Sequence, residues 1–124
     1  MKNERDRAFR YAGQRLEGGI RTAVELWRTN PAAAKAQYGP IASWDTSEID
    51  SMFRLFAYKA DFNDDISRWD VSSVSDMNSM FHDATSFNCD RSQWDVANVT
   101  HMGGMFDGAT SFNGDLSQWD VANV

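Results

Sequence analysis

The chain has 124 residues, enough for one domain, and its net charge of −6 is unevenly divided. Residues 1–43 carry eight Lys/Arg against four Asp/Glu, whereas residues 44–124 carry four against fourteen; the acidic part would repel phosphate backbones, which argues against nucleic acid as a partner. A single cysteine, Cys89, excludes an internal disulfide framework and a multi-cysteine zinc site, no apolar run reaches transmembrane length, and the mixed-charge N-terminus lacks the apolar stretch of a secretory signal.

Residues 1–40 read as a helical N-terminal cap. Leu16, Ile20, Ala23, Val24 and Trp27 recur at helical spacing and form one apolar stripe. Gly18 and Gly19 weaken a helix, so the stripe is expected to break or divide there. Asn30 before Pro31 is an N-cap and first-turn pair that opens a second short helix over residues 32–36, and Gly39 with Pro40 ends it. The helix bearing Trp27 is expected to cover the open end of the first repeat, because terminal repeats need a cap with a polar outer face.

Residues 41–124 hold three 25-residue repeats and the start of a fourth. Trp44, Trp69, Trp94 and Trp119 are each followed by Asp and stand 25 residues apart, the signature of a stacked repeat. Six further columns are identical in the three full repeats. They are Met52, Met77 and Met102; Phe56, Phe81 and Phe106; Phe62, Phe87 and Phe112; Asn63, Asn88 and Asn113; Asp65, Asp90 and Asp115; and Ser67, Ser92 and Ser117. Residues 119–124 duplicate residues 94–99. The Trp and Phe columns are expected to form buried ladders, and the Asn column a ladder that bonds the backbone of adjacent coils.

Within a repeat the period changes. Trp69, Asp70 and Val71 alternate as in a strand with the apolar pair inward. Val74, Met77, Met80, Phe81 and Ala84 are then spaced by three or four, as in a short helix. Asp50, Ser75 and Thr100 occupy the column where the period switches, and all three are preferred N-cap residues, so exchanging one for another should be close to neutral. The expected fold class is therefore α/β: a right-handed leucine-rich-repeat-like solenoid of short parallel strands and short helices, with an N-terminal helical cap.

The pattern Trp-Asp-Val-Ser-x-Val-x-x-Met-x-x-Met-Phe-x-x-Ala-x-x-Phe-Asn-x-Asp-[Ile/Leu]-Ser, read over residues 41–124, resembles the BspA-type surface repeat, a leucine-rich-repeat-like unit. Residues 22–27 and 38–41 also look like the helical segment that often precedes it. The resemblance implies a surface or adhesion role and carries no catalytic residues across. Two departures stand out: Lys59 fills the column of Ala84 and Ala109, and Arg91 replaces the apolar Ile66 and Leu116, so its guanidinium must reach outward or pair with an acid such as Asp90 or Asp65.

Little in the chain suggests catalysis. His82 and His101 fall in different columns without a partner at ligand spacing, and Gly103 and Gly104 fall inside the expected third helix rather than in a phosphate loop. No enzyme activity and no cofactor are expected. Asp65, Asp90 and Asp115 are weak calcium candidates, since turn capping by Asp is the default. Cys89 occupies a turn column, and Asn98 begins a formal glycosylation sequon that the repeat itself generates.

The expected function is a non-enzymatic module for protein–protein or surface recognition and adhesion. The alternatives are a structural or linker subunit docking within a larger multi-protein assembly, and a calcium-dependent scaffold. A protein partner is expected, with the C-terminal coil as docking face, because Met102, Met105, Phe106 and Phe112 lie at an uncapped end; self-association through that coil, or continuation into further repeats, satisfies the same apolar surface. The resemblance implies the cell surface or secretion, and the missing signal segment leaves the cytoplasm or an organelle assembly open.

Overall fold

A computed structural model describes residues 10–11, 14–15, 19–89 and 93–124. A minimal antiparallel pair, β1 (Arg10–Tyr11) and β2 (Gln14–Arg15), comes first. Helix α1 (Gly19–Thr29) follows, burying Ile20, Ala23 and Val24 along its apolar stripe. Leu16 and Gly18 lie outside the described residues. Helix α2 (Pro31–Tyr38) opens on Asn30, whose side chain accepts the Ala33 N–H at 3.2 Å, and closes on Gly39 at φ 80°. It outruns the expected residues 32–36 because Tyr38 is itself core, buried edge-on against Trp44 with ring centroids 5.9 Å apart.

Both helices cover the first repeat. Trp27 meets Trp44 edge-on at 5.9 Å, Lys59 pairs with Glu25 at 3.6 Å, and the Trp27 indole N–H donates to Asp64 at 3.0 Å. Arg21 donates from Nη2 to the Phe53 carbonyl at 2.6 Å.

Past a single 3₁₀ turn, Ile41–Ser43, the described residues form neither helix nor strand but turns and isolated bridges, among them the parallel pairs Ser51 with Asp76 and Asp76 with His101. The expected α/β architecture, a leucine-rich-repeat-like solenoid of short parallel strands and short helices, is therefore overturned. Both α-helices precede the repeats, and the two-residue strand pair lies outside them. What the described residues of 44–68, 69–93 and 94–118 form are three coils built of turns.

The reason lies in the backbone. Arg54, Ser79 and Gly104 share one repeat column and have φ of 55°, 56° and 63°; Tyr58, Asp83 and Gly108 share another at 63°, 55° and 75°. A left-handed residue at every fourth position ends any α-helix before its first turn is complete. The N–H groups are redirected accordingly. Those of Met52, Arg54, Phe56 and Tyr58 donate across to the carbonyls of Asp76, Asn78, Met80 and His82 at 2.7–3.1 Å, while those of Leu55, Ala57 and Lys59 donate three residues back. Coil two repeats the scheme, with Met77, Ser79, Phe81 and Asp83 donating to His101, Gly103, Met105 and Asp107 at 2.8–2.9 Å. Gly103 and Gly104 thus belong to this turn ribbon, not to a helix.

The N-cap assignments fall with the helices. The Asp50 Oδ1 is buried and accepts no hydrogen bond, so it caps nothing. Ser75 and Thr100 use their hydroxyls instead to donate to the carbonyl of the same column one coil back, Asp50 at 3.3 Å and Ser75 at 3.2 Å.

The core is one continuous cluster from Ile20 to Met105. Within each coil two Phe rings stack, Phe56 on Phe62 at 4.1 Å, Phe81 on Phe87 at 3.9 Å and Phe106 on Phe112 at 4.1 Å. Between coils Phe81 lies 5.6 Å from both Phe56 and Phe106, nearly parallel to each. Trp44 stacks on Trp69 at 6.1 Å and Trp94 on Trp119 at 6.4 Å. The buried indole N–H groups donate backwards, Trp69 to the Ile41 carbonyl at 2.8 Å and Trp94 to that of Ile66 at 3.1 Å, so each ring also clips the preceding turn.

Two predictions follow from the backbone. A methyl at Gly108 would collide with the Asp83 carboxylate one coil below and sit at a left-handed φ. Gly108→Ala is expected to destabilise by more than the roughly 1–2 kcal/mol of the conformational term alone, and Asp83→Gly in the same chain to recover part of the loss, as a double-mutant cycle in urea would show. Ser75→Asp, neutral for an N-cap, is expected to cost more than Ser75→Ala, up to about 1 kcal/mol, because a carboxylate has no proton for the Asp50 carbonyl; a neutral Ser75→Asp would restore the capping role.

Candidate functional site

Two sets of side chains face solvent along the coils. The first is polar and binds the turns together. Asp45, Asp65, Asp70, Asp95, Asp115 and Asp120 each accept, through Oδ1, the N–H of the residue two further on, at 2.9–3.1 Å. This is the Asx turn, in which a short carboxylate replaces a backbone acceptor. At Asp65 and Asp70 the Ser67 and Ser72 hydroxyls donate to the same oxygen, both at 2.6 Å. Those hydroxyls first, then the accompanying main-chain N–H groups, hold both carboxyls below the ordinary carboxylate range against a small desolvation effect.

The calcium candidates Asp65 and Asp115 are occupied in separate turns, and Asp90 lies outside the described residues, as does Arg91. No group of three His, Cys, Asp or Glu side chains suited to a metal ion occurs among the described residues. His82 sits between Asp83 and Asp107, 3.5 Å from each, and His101 Nδ1 lies 2.8 Å from the Thr100 hydroxyl.

The Asn column is exposed rather than buried, yet it links coils. Asn63 accepts the Asn88 N–H at 2.8 Å and Asn88 that of Asn113 at 2.7 Å. Asn98 donates to the Ser72 carbonyl at 2.7 Å, and Asn123 repeats this on Ala97 at 2.8 Å. Half-buried Cys89 accepts the Ile66 N–H at 3.3 Å and lies 3.7 Å from Asp65. Each of these groups serves the stack.

The second set is apolar and lies on the far side of coil three. Met102, Met105, Phe106, Leu116, Trp119 and Val121 line a groove of about 520 Å³, with Gly104 and Asp107 at its edge. The columns that are fully buried in coil two emerge here: Met77 and Phe81 are 0% exposed, whereas Met102 and Phe106 are only half-buried and Val121 is 47% exposed. Along the groove the N–H groups of Met102, Gly104, Phe106 and Gly108 make no hydrogen bond, although their counterparts in coils one and two all cross to the next coil. Of the side chains expected at an open apolar end, Met102, Phe106 and Phe112 are half-buried and Met105 is buried. Residue composition carried no signal for the row of donors, which depends on backbone conformation alone.

Residues 25–124 match the family described as Mycoplasma protein of unknown function, DUF285, and the chain belongs to that family. No curated protein and no solved structure matches the chain. No helix among the described residues is long and apolar enough to cross a membrane.

The Asx turns make stability depend on acid pH. Carboxyls lowered by folding contribute stability that is complete above their unfolded value, near 3.9, and is lost as pH falls through the lower folded value. Ser72→Ala is expected to move the Asp70 titration, followed by NMR, upward toward the ordinary range, and to leave that of Asp65 where it is. Asp70→Asn is expected to flatten the acid limb of the stability curve without changing its slope at neutral pH.

Proposed function

We propose that this chain is a non-enzymatic protein-recognition module whose binding face is the groove on coil three. The observation that carries this reading is the concentration of Met102, Met105, Phe106, Leu116 and Trp119 around one concavity of about 520 Å³ on coil three. Contiguous apolar surface of this kind marks interaction sites, and methionine and aromatic side chains adapt to a partner's shape. The polar ladders fit a structural role, since their carboxylates and amides are spent on turns and on neighbouring coils. The likeness of the repeat to the BspA-type surface repeat supports recognition over catalysis.

Selection of peptides from a displayed random library on the immobilised protein tests the reading. Enriched peptides are expected to lose binding to Met102→Asp and Leu116→Asp variants, and to retain it on Tyr58→Asp, which alters an exposed aromatic away from the groove. Absence of enrichment, or binding that survives both groove variants, would overturn it.

A further inference from the structure

The corner between α1 and α2 encloses a second cavity, of about 200 Å³, against coil one. Trp27, Arg28 and Pro31 line it from the helices and Asp61, Phe62 and Asp64 from the coil, and it shares no residue with the groove on coil three. We infer that this cavity binds a neutral sugar, one pyranose ring packed on Trp27, Pro31 and Phe62 with its hydroxyls on Asp61, Asp64 and Arg28. The apolar walls are fixed in advance. Phe62 is 5% exposed and stacked on both Phe56 and Phe87. Trp27 is held twice, edge-on to Trp44 at 5.9 Å and through its indole N–H to Asp64 Oδ2 at 3.0 Å. Asn30 sets the corner, donating its N–H to the Leu26 carbonyl at 2.7 Å and capping α2, so Pro31 stands beside the end of α1.

The repeat itself does not require the two carboxylates. The column of Asp61 continues as Ser86 and Ser111, and that of Asp64 as Cys89 and Gly114. The neighbouring Asp65 column stays Asp throughout, and Asp65 and Asp115 each hold their own turn. Pinning Trp27 accounts for Asp64 Oδ2 but not for Asp61. That carboxylate is 79% exposed and comes only within 3.8 Å of the Arg28 Nε, a surface pair of little worth to the fold. Arg28 donates from Nη1 to Glu25 at 3.3 Å, and no described residue accepts from its Nη2. Acceptors and donors with capacity to spare therefore stand beside apolar walls, the composition of a small-molecule site. The mixed sign of the lining selects the ligand. A cation would face Arg28, and an anion would face both carboxylates. A hydroxyl donates to a carboxylate and accepts from a guanidinium, so a ring with adjacent hydroxyls satisfies both while its C–H face packs on the aromatic wall. The volume lies below the roughly 300–1,000 Å³ of sites for drug-sized ligands, which suits one ring rather than a chain.

The test titrates the whole chain with the methyl glycosides of glucose, galactose, mannose and N-acetylglucosamine. The readout is the indole N–H resonance of Trp27 in NMR, assigned by its loss in Trp27→Phe. At least one glycoside is expected to shift that resonance saturably, with Kd on the order of 1 mM for so small a ligand, while the buried Trp69 and Trp94 indoles stay unmoved. Asp61→Ser installs the side chain that coils two and three already carry in this column, so the fold is expected to survive it. It is expected to weaken binding by roughly tenfold or more, the loss of one charge-assisted hydrogen bond. Arg28→Gln, which keeps the stem and removes the charge, is expected to do the same. No shift from any of the four glycosides at about 50 mM, well above that Kd, would overturn the inference. Binding that is unchanged in both variants would overturn it too, by placing the sugar elsewhere. A Trp27 shift produced by methylammonium and by none of the sugars would make the cavity a cation site and sink the proposal.

Discussion

Everything in this chain past Ser43 depends on two columns of left-handed residues. Arg54, Ser79 and Gly104, with Tyr58, Asp83 and Gly108 four residues on, prevent the Met and Phe columns between them from closing into a helix. An α-helix satisfies its own N–H groups, so stacked helices have no backbone reason to lie in register. A ribbon that turns left at every fourth residue leaves alternate N–H groups pointing along the stack. Each coil then completes its hydrogen bonding only on its neighbour, and the fixed 25-residue period follows from it. The strain is offset collectively: a non-glycine left-handed residue costs about 1–2 kcal/mol, and coils one and two hold four of them, whereas coil three uses glycine at both positions.

The side chains suit that backbone. Nearly flat turns bring successive Phe rings into parallel stacks, and the paired Phe rings inside each coil fill the width that a helix would otherwise take. The tryptophans do two jobs, contributing buried area and tying the indole N–H to a carbonyl 28 residues earlier. Thr46 sits in the column of Val71 and Val96 and is fully buried, which its hydroxyl permits by donating to the Asp70 carbonyl at 2.9 Å. The solvent side is closed by Asp residues, each holding its own turn.

How much of this was legible follows from what each signal measures. The period and the inward columns were readable because identity at a fixed spacing needs no knowledge of the backbone: Trp69, Val71, Met77, Phe81 and Phe87 are all core, with Asp70 outside. Asn30, Pro31 and Gly39 announced α2 because capping chemistry is local. The helix and strand assignments failed because spacing by three and four fits a turn ribbon as well as a helix. The left-handed columns hold Arg, Tyr, Ser and Asp before any Gly appears, so nothing in them announces a positive φ. Asp50, Ser75 and Thr100 misled in the same way, since a residue suited to an N-cap is equally suited to bonding a carbonyl on a neighbouring coil. Met102 and Phe106 were readable as apolar columns of the third repeat, whereas the row of N–H groups beside them exists only in the fold.

The outer faces of coil one and coil three differ, and the difference is electrostatic. The outer face of coil one carries the acceptor row, and α1 covers it, bringing a guanidinium, a side chain with several fixed donors, to the Phe53 carbonyl in place of a preceding coil's N–H. At the third coil a row of donors is exposed, and among the described residues no carboxylate takes the matching part: Asp107 turns toward His82, and Asp115 accepts from its own turn. Water satisfies such donors at little cost, but a purely apolar partner would strip that water away and leave each N–H unpaired, at about 1–3 kcal/mol apiece. Four such losses would cancel the gain from covering Met102, Phe106 and Trp119. Whatever covers this face without such a loss has to bring acceptors along with apolar side chains.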